Sequence, residues 1–78
     1  MTLKIISAEK VEYTGEVESV TMPGVLGQFT VLDHHASMIA ALGAGKIEYG
    51  AVKGEKSSRT IKGGIADIKN NVVSVCIY

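Results

Sequence analysis

Residues Met22 to Gly45 constrain the chain most. They read Met-Pro-Gly-Val-Leu-Gly-Gln-Phe-Thr-Val-Leu-Asp-His-His-Ala-Ser-Met-Ile-Ala-Ala-Leu-Gly-Ala-Gly, with turn-forming residues at three separate points and no plausible catalytic set among them. Pro23-Gly24 is expected to turn the chain, because proline presets φ and glycine accepts the positive φ that strains other residues. After Gly27, apolar Phe29 and Val31 alternate with polar Gln28 and Thr30, the period of a half-buried strand. Asp33-His34-His35 then breaks the pattern. Ser37 to Leu42 places Met38 and Leu42 at helical spacing, yet it falls well short of the ~12 residues a self-supporting helix needs, so it is read as extended.

The same alternation runs through the rest of the chain. Leu3 and Ile5, then Val11 and Tyr13, recur at spacing two around a Ser7-Ala8-Glu9-Lys10 turn and predict a first hairpin. Thr14-Gly15-Glu16 is expected to reverse the chain again, with a strand from Glu16 to Met22. Val17 and Val20 fall in opposite phases there, as a bulge or burial on both faces would produce. Ile47 and Tyr49 share one face of a later strand, and Lys53 to Ser58 form a polar loop tip before strand composition resumes at Arg59. Gly63-Gly64 marks a reversal or a close backbone approach. Asn70-Asn71 tolerates left-handed φ and suits a tight hairpin between Ile65–Lys69 and Val72–Tyr78, with Val73 and Val75 in the core. Short strands separated by frequent turn signals imply an all-β fold, a small two-sheet antiparallel β-sandwich forming a single domain over residues 1–78.

Composition narrows the function. A chain of 78 residues removes only about 60–65% of its unfolded surface from water, so its stability margin is thin. Eight basic and eight acidic residues leave a formal charge of +0, which gives no electrostatic basis for binding nucleic acid. No apolar run approaches the ~20 residues that cross a bilayer, and Met1-Thr2-Leu3-Lys4 leads directly into strand-like alternation, so neither membrane insertion nor a processed leader is expected. The lone cysteine, Cys76, lies in an apolar run and is expected to be a small buried hydrophobe. Phe29, Tyr13, Tyr49 and Tyr78 fall in phase with aliphatic neighbours, as core residues or strand ends do. Glu12, Glu16 and Glu18 alternate with small or apolar residues as on a solvated sheet face, with a surface for a basic partner as the functional alternative.

Several chemical motifs fail on inspection. Gly45-Lys46 has Ala40 where a P-loop needs its first glycine and Ile47 where the hydroxyl belongs, and Glu55 spoils Gly50 to Ser57 in the same way. Gly43-Ala44-Gly45 lacks the third glycine of a dinucleotide fingerprint. His34 and His35 are neighbours that point to opposite sides of an extended chain, so no metal site is expected. Asp33, His35 and Ser37 are too compressed for a nucleophile with an oxyanion hole, which leaves a small esterase as a weak reading. No catalytic residue, no metal and no cofactor is therefore expected. A lipoyl- or biotinyl-type carrier, or another small β-sandwich binding module, is the alternative class, but Lys10 lies in Glu-Lys-Val and lacks the setting of a modified lysine.

Taken in order, Ser7-Ala8-Glu9, Tyr13-Thr14-Gly15-Glu16-Val17-Glu18-Ser19-Val20, Pro23-Gly24, Gly27-Gln28-Phe29, His35-Ala36, Gly63-Gly64-Ile65-Ala66-Asp67-Ile68 and Asn71-Val72-Val73-Ser74-Val75 carry a resemblance over nearly the whole chain. The chain resembles the epsilon subunit family of the F-type ATP synthase. That resemblance implies a non-catalytic rotor subunit of the central stalk, a monomer present once per complex. It would dock on the gamma subunit and the c-ring and couple proton translocation to ATP synthesis. By resemblance, Ser7 and His35 face gamma and Gln28 faces the c-ring, with the protein peripheral to the membrane on the cytoplasmic face of a bacterial inner membrane. The chain departs from the family pattern at Asp33-His34, where Pro-Gly is usual, at Ser37, where proline is usual, and at Gln28, where glutamate is common. These changes imply a more mobile histidine loop. The sequence also ends at Tyr78, before the C-terminal helical hairpin typical of the family, so the resemblance implies docking without ATP binding or inhibition by that arm.

Overall fold

A computed structural model describes residues 1–78, and in it the alternation becomes nine strands and no helix. They are β1 (Thr2–Ile6), β2 (Val11–Glu16), β3 (Ser19–Gly24), β4 (Gly27–Leu32), β5 (Met38–Leu42), β6 (Gly45–Gly50), β7 (Lys56–Ile61), β8 (Gly64–Lys69) and β9 (Val72–Ile77). All belong to one hydrogen-bonded sheet in the order β2-β1-β9-β8-β5-β3-β6-β7, with β4 paired to the other edge of β3. The link from β5 to β3 is a single pair, Gly24 opposite Leu42. It is the fold line: β2-β1-β9-β8-β5 forms one layer, β4-β3-β6-β7 the other, and the sheet curls into a sandwich.

One apolar cluster fills the space between the layers. Leu3 and Ile5 of β1, Ala66 and Ile68 of β8, and Val73 and Val75 of β9 meet Val20 and Met22 of β3, Val31 of β4 and Ile47 of β6. The strict alternation of β8, where Gly64, Ala66 and Ile68 are buried and Ile65, Asp67 and Lys69 are exposed, is the sequence period made visible. A Cβ at Gly64 would collide with the backbone carbonyl of Cys76, so only glycine lets β8 start against the end of β9.

The all-β sandwich and the hairpins at Ser7–Lys10 and Asn70–Asn71 agree with the sequence reading, and Asn70 and Asn71 adopt φ of 53° and 60°. Five expectations need correction. First, one ladder departs from the antiparallel pattern, since β1 and β9 run parallel, Thr2 opposite Val72 through Ile6 opposite Cys76. Second, Pro23-Gly24 does not turn; it ends β3, and the reversal is at Val25-Leu26 with the positive φ of 129° on Gly27. Pro23 sits between the last β3–β6 pair, Thr21 with Glu48, and the β5 pair at Gly24, a gap between ladders where a missing N–H is tolerated. Third, Gly15 remains inside β2 opposite Leu3, and the chain breaks instead at Val17-Glu18. Val17 is therefore not a strand residue, which removes its phase conflict with Val20. Fourth, β7 begins at Lys56, inside the expected loop tip. Fifth, Cys76 is exposed, because Val73 and Val75 take the inward phase of β9.

Candidate docking surface

Register decides which surface residues lie together. On the outer face of the five-stranded layer, Val11 is opposite Ile6, Ile6 opposite Cys76, Cys76 opposite Ile65 and Ile65 opposite Ala41. Val25 adjoins that row through its N–H bond to the Ala41 carbonyl, 3.0 Å. The result is an apolar stripe crossing five strands, and Val11, Ile65 and Val25 on it are 59%, 54% and 62% exposed. The neighbouring row, Thr14, Lys4, Ser74 and Asp67, is polar until Ile39, which is 74% exposed opposite Asp67. The exposed apolar residues are thus contiguous in register across the layer rather than scattered singly.

The stripe runs into a groove between the β3–β4 hairpin and β5. About 480 Å³ in volume, it is lined by Val25, Leu26, Gln28, Phe29, Met38 and Ile39 among others. Leu26 at the hairpin tip is fully exposed, while Phe29 and Met38 reach inward to the core cluster. Gln28 is exposed on β4 opposite Pro23, one step from the tip.

The other two candidate residues lie elsewhere. Ser7 belongs to the β1–β2 turn, and its hydroxyl is already engaged. It donates to Glu12 Oε2 at 3.0 Å and accepts the Lys10 N–H at 3.3 Å. Glu12 is the extra residue of a β-bulge, skipped where Ile5 pairs with Tyr13 and Ile6 with Val11. The bulge aims its carboxylate at Ser7 on one side and at the Arg59 guanidinium of β7 on the other. The Ser7 hydrogen bond, helped by Arg59 and Lys10, holds the Glu12 carboxyl below its ordinary range.

His35 sits half-buried in the β4–β5 loop, with Nδ1 2.7 Å from the Ala36 carbonyl. Its loop is pinned rather than free. His34 adopts φ of 61° and donates its N–H to Asn71 Oδ1 at 2.8 Å, while Asp33 Oδ1 accepts from Asn71 Nδ2 at 2.9 Å and from the Met1 amino group at 3.0 Å. The bond from Asn71, followed by that from the amino group, keeps the Asp33 carboxyl below its ordinary range.

The structure therefore separates the three residues. The hairpin tip beside Gln28 adjoins the Gly64 end of β8, through Leu42 opposite Gly64, whereas the His35 loop is bound to Asn71 at the Lys69 end. Five residues of strand lie between, so His35 is roughly 17 Å from the Gln28 end. Ser7 follows Ile6, opposite Cys76, and so belongs to the Gln28 end. Gln28 and His35 are therefore at opposite ends of the domain. Sequence reasoning missed the stripe, Glu12 as a bulge residue and its partner Arg59. Their apolar or charged character was visible, but only register places Ile65 between Ala41 and Cys76.

No group of three or more His, Cys, Asp or Glu side chains is close enough to hold a metal ion, and no helix is long and apolar enough to cross a membrane. Against known families, residues 1–77 match the ATP synthase, Delta/Epsilon chain, beta-sandwich domain. The chain belongs to this family. Among similar proteins, the ATP synthase epsilon chain of Leptospira borgpetersenii is 41% identical over 76 residues, and that of Helicobacter pylori strain 26695 is 39% identical over 75. Each alignment covers 96% of this chain but only 58% and 60% of those relatives, so the chain spans about three fifths of their length. A chain in the structure of Euglena gracilis mitochondrial ATP synthase, OSCP/F1/c-ring in rotational state 1, superposes with a TM-score of 0.87 at 25% identity, over 96% of this chain and 48% of that one. A chain of the Tetrahymena thermophila mitochondrial ATP synthase central stalk and c-ring shares the fold, with a TM-score of 0.82 at 12% identity over 99% of this chain and 62% of that one.

Proposed function

We propose that this domain is a non-catalytic, single-copy part of the central stalk of an F-type ATP synthase, docking on the gamma subunit and the c-ring and coupling proton translocation to ATP synthesis. Its place would be peripheral to the membrane, on the cytoplasmic face of a bacterial inner membrane. The apolar stripe from Val11 to Val25 carries the reading, because an in-register apolar row on an otherwise polar sheet face is stabilised by a partner that covers it. Membership of the family supports gamma and the c-ring as the partners. Ser7 and His35 are assigned to gamma and Gln28, beside the exposed Leu26 tip, to the c-ring. Since Ser7 and His35 are at opposite ends, a gamma surface including both would run along the length of the domain rather than cap one end.

The deciding experiment measures binding of the chain to purified gamma and to the gamma–c-ring assembly. Ile65→Glu, on the stripe, is expected to weaken gamma binding at least tenfold, because a charge would be desolvated at the centre of the contact. Gln28→Ala with Leu26→Ala should weaken binding to the gamma–c-ring assembly while leaving binding to gamma alone intact. Undiminished binding of the Ile65→Glu chain to gamma would overturn the assignment.

A further inference from the structure

The sheet ends in β2 on one side and β7 on the other, and no ladder joins these two terminal strands. Curling brings them together nonetheless. The Tyr13 ring of β2 lies 4.6 Å from that of Tyr49 on β6, and Glu12 of β2 is paired with Arg59 of β7. Arg59 holds the position opposite Ile47, in the inward phase of β7, yet its guanidinium reaches the seam and is only 35% exposed. The Glu12 side chain is 15% exposed. We infer that Glu12 is the latch of the curled sheet: one carboxylate ties the edge strand β2 to the edge strand β7 and to the Ser7 turn, and loss of its charge releases all three.

The geometry carries the argument. Glu12 is at the bulge, the one point on β2 where a residue is freed from the β1 ladder and can leave the strand's regular alternation. Its two oxygens are divided, Oε1 to Arg59 and Oε2 to Ser7, so both partners depend on the same ionised group. Without the charge, Arg59 would be left half-buried and unpaired, a costly arrangement that favours swinging the side chain, and β7 with it, towards water. The charged groups acting on Glu12 are Arg59 from β7 and Lys10 from its own turn, both favouring the carboxylate. Lys4 of β1 is opposite Thr14 and makes no ion pair. Acid is therefore the natural trigger, and opening would part β2 from β7 while β8 and β9, on the other side of β1, stay paired.

Hydrogen exchange resolved by segment, corrected for intrinsic rates, tests this on the whole chain. At pH 7, Glu12→Gln is expected to raise exchange at least tenfold in residues 11–16 and 56–61 and to leave residues 64–69 and 72–77 near wild type. Acidified wild type should approach the same pattern before it unfolds, and Arg59→Gln combined with Glu12→Gln should add little to either alone. Unchanged protection of β2 and β7 in Glu12→Gln, or an increase spread evenly over β8 and β9, would overturn the latch. Should Glu12→Gln fail to fold, the acid series on wild type decides: β2 and β7 protected up to the global transition would refute it. None of these readings depends on gamma binding.

Discussion

The two seams of the sandwich differ in what bridges them. Where β2 approaches β6 and β7, the Tyr13 and Tyr49 rings meet at a tilt with centroids 4.6 Å apart, and the Glu12–Arg59 pair spans the gap. Where β4 and β5 approach, no side-chain hydrogen bond or ion pair joins the strands, and a groove of about 480 Å³ remains. Phe29 and Met38 reach only partway into the core from its walls, and Leu26 and Ile39 stand in water at its rim. A small domain with a thin margin can leave one seam open only if the other, and the core between, hold it. The bridged seam thus serves the fold, and the open one leaves apolar surface free for a partner.

That contrast is broken most severely through the core both seams share. Ile47→Ala removes a fully buried side chain and is expected to destabilise by about 2–5 kcal/mol, and Val75→Ala by about 1–3 kcal/mol, through the cavities left behind. Chemical denaturation measures both. A loss below ~0.5 kcal/mol at either site would mean that the core is not the common support of the two seams.

Substitutions at the seams come next. Gly15 lies beside the Tyr13 ring, and a Cβ there would stand 2.5 Å from the Tyr13 hydroxyl, so Gly15→Ala requires the Tyr13 side chain to shift. Tyr13→Ala is expected to cost about 1–3 kcal/mol, since aromatic pairs contribute beyond their area. Met38→Ala at the open seam should cost less, because Met38, half-buried like Tyr13, has no aromatic partner across the seam. Equal losses in thermal melts at Tyr13 and Met38 would remove the distinction.

How far these features were legible in the sequence follows from what each depends on. Val73, Val75 and the Asn70-Asn71 hairpin were readable because alternation and left-handed asparagines are local properties. The Val25-Leu26 turn was not, since Pro23-Gly24 is the stronger local turn signal, and only the change of partner strand from β6 to β5 shows why proline is tolerated inside β3. Cys76 illustrates the same limit: a continuous apolar run from Val75 to Ile77 does not reveal which residue faces out. For the candidate residues, Ser7 and His35 could be named from local motifs, but the distance between them is set by β8, more than 25 positions further along the chain than His35. Glu12 and Arg59, far apart in sequence, meet only because the sheet curls.

Acid sharpens the comparison further. Glu12 and Asp33 have folded-state pKa values lowered from ordinary values of 4.5 and 3.8, so each binds its proton more readily in the unfolded chain. Their contribution to stability is fully present above those unfolded values and is lost as pH falls through the folded ones. Thermal midpoints should therefore fall on acidification below about pH 4.5, and Glu12→Gln, already without this contribution, should show a shallower fall. A Glu12→Gln profile parallel to wild type would show that the bridged seam is not held by this charge.

The smallest effect on the fold is expected at the open seam. Ile39 and Leu26 are 74% and 101% exposed, so replacing either with serine removes little buried area, and stability should stay within ~0.5 kcal/mol of wild type. The same two changes nevertheless delete the apolar rim at the mouth of the groove. If that surface is where a stalk partner sits, the Ile39→Ser, Leu26→Ser chain should lose affinity for the gamma–c-ring assembly by tenfold or more, because contacts at the centre of an interface carry most of its energy. ATP-driven proton pumping per ATP hydrolysed, measured in vesicles reconstituted with the variant, should then fall below wild type. A variant that melts like wild type and couples like wild type would show that the groove is left uncovered in the motor. A variant that melts well below wild type would show instead that these exposed side chains support the fold, and the division of labour between the seams would have to be abandoned.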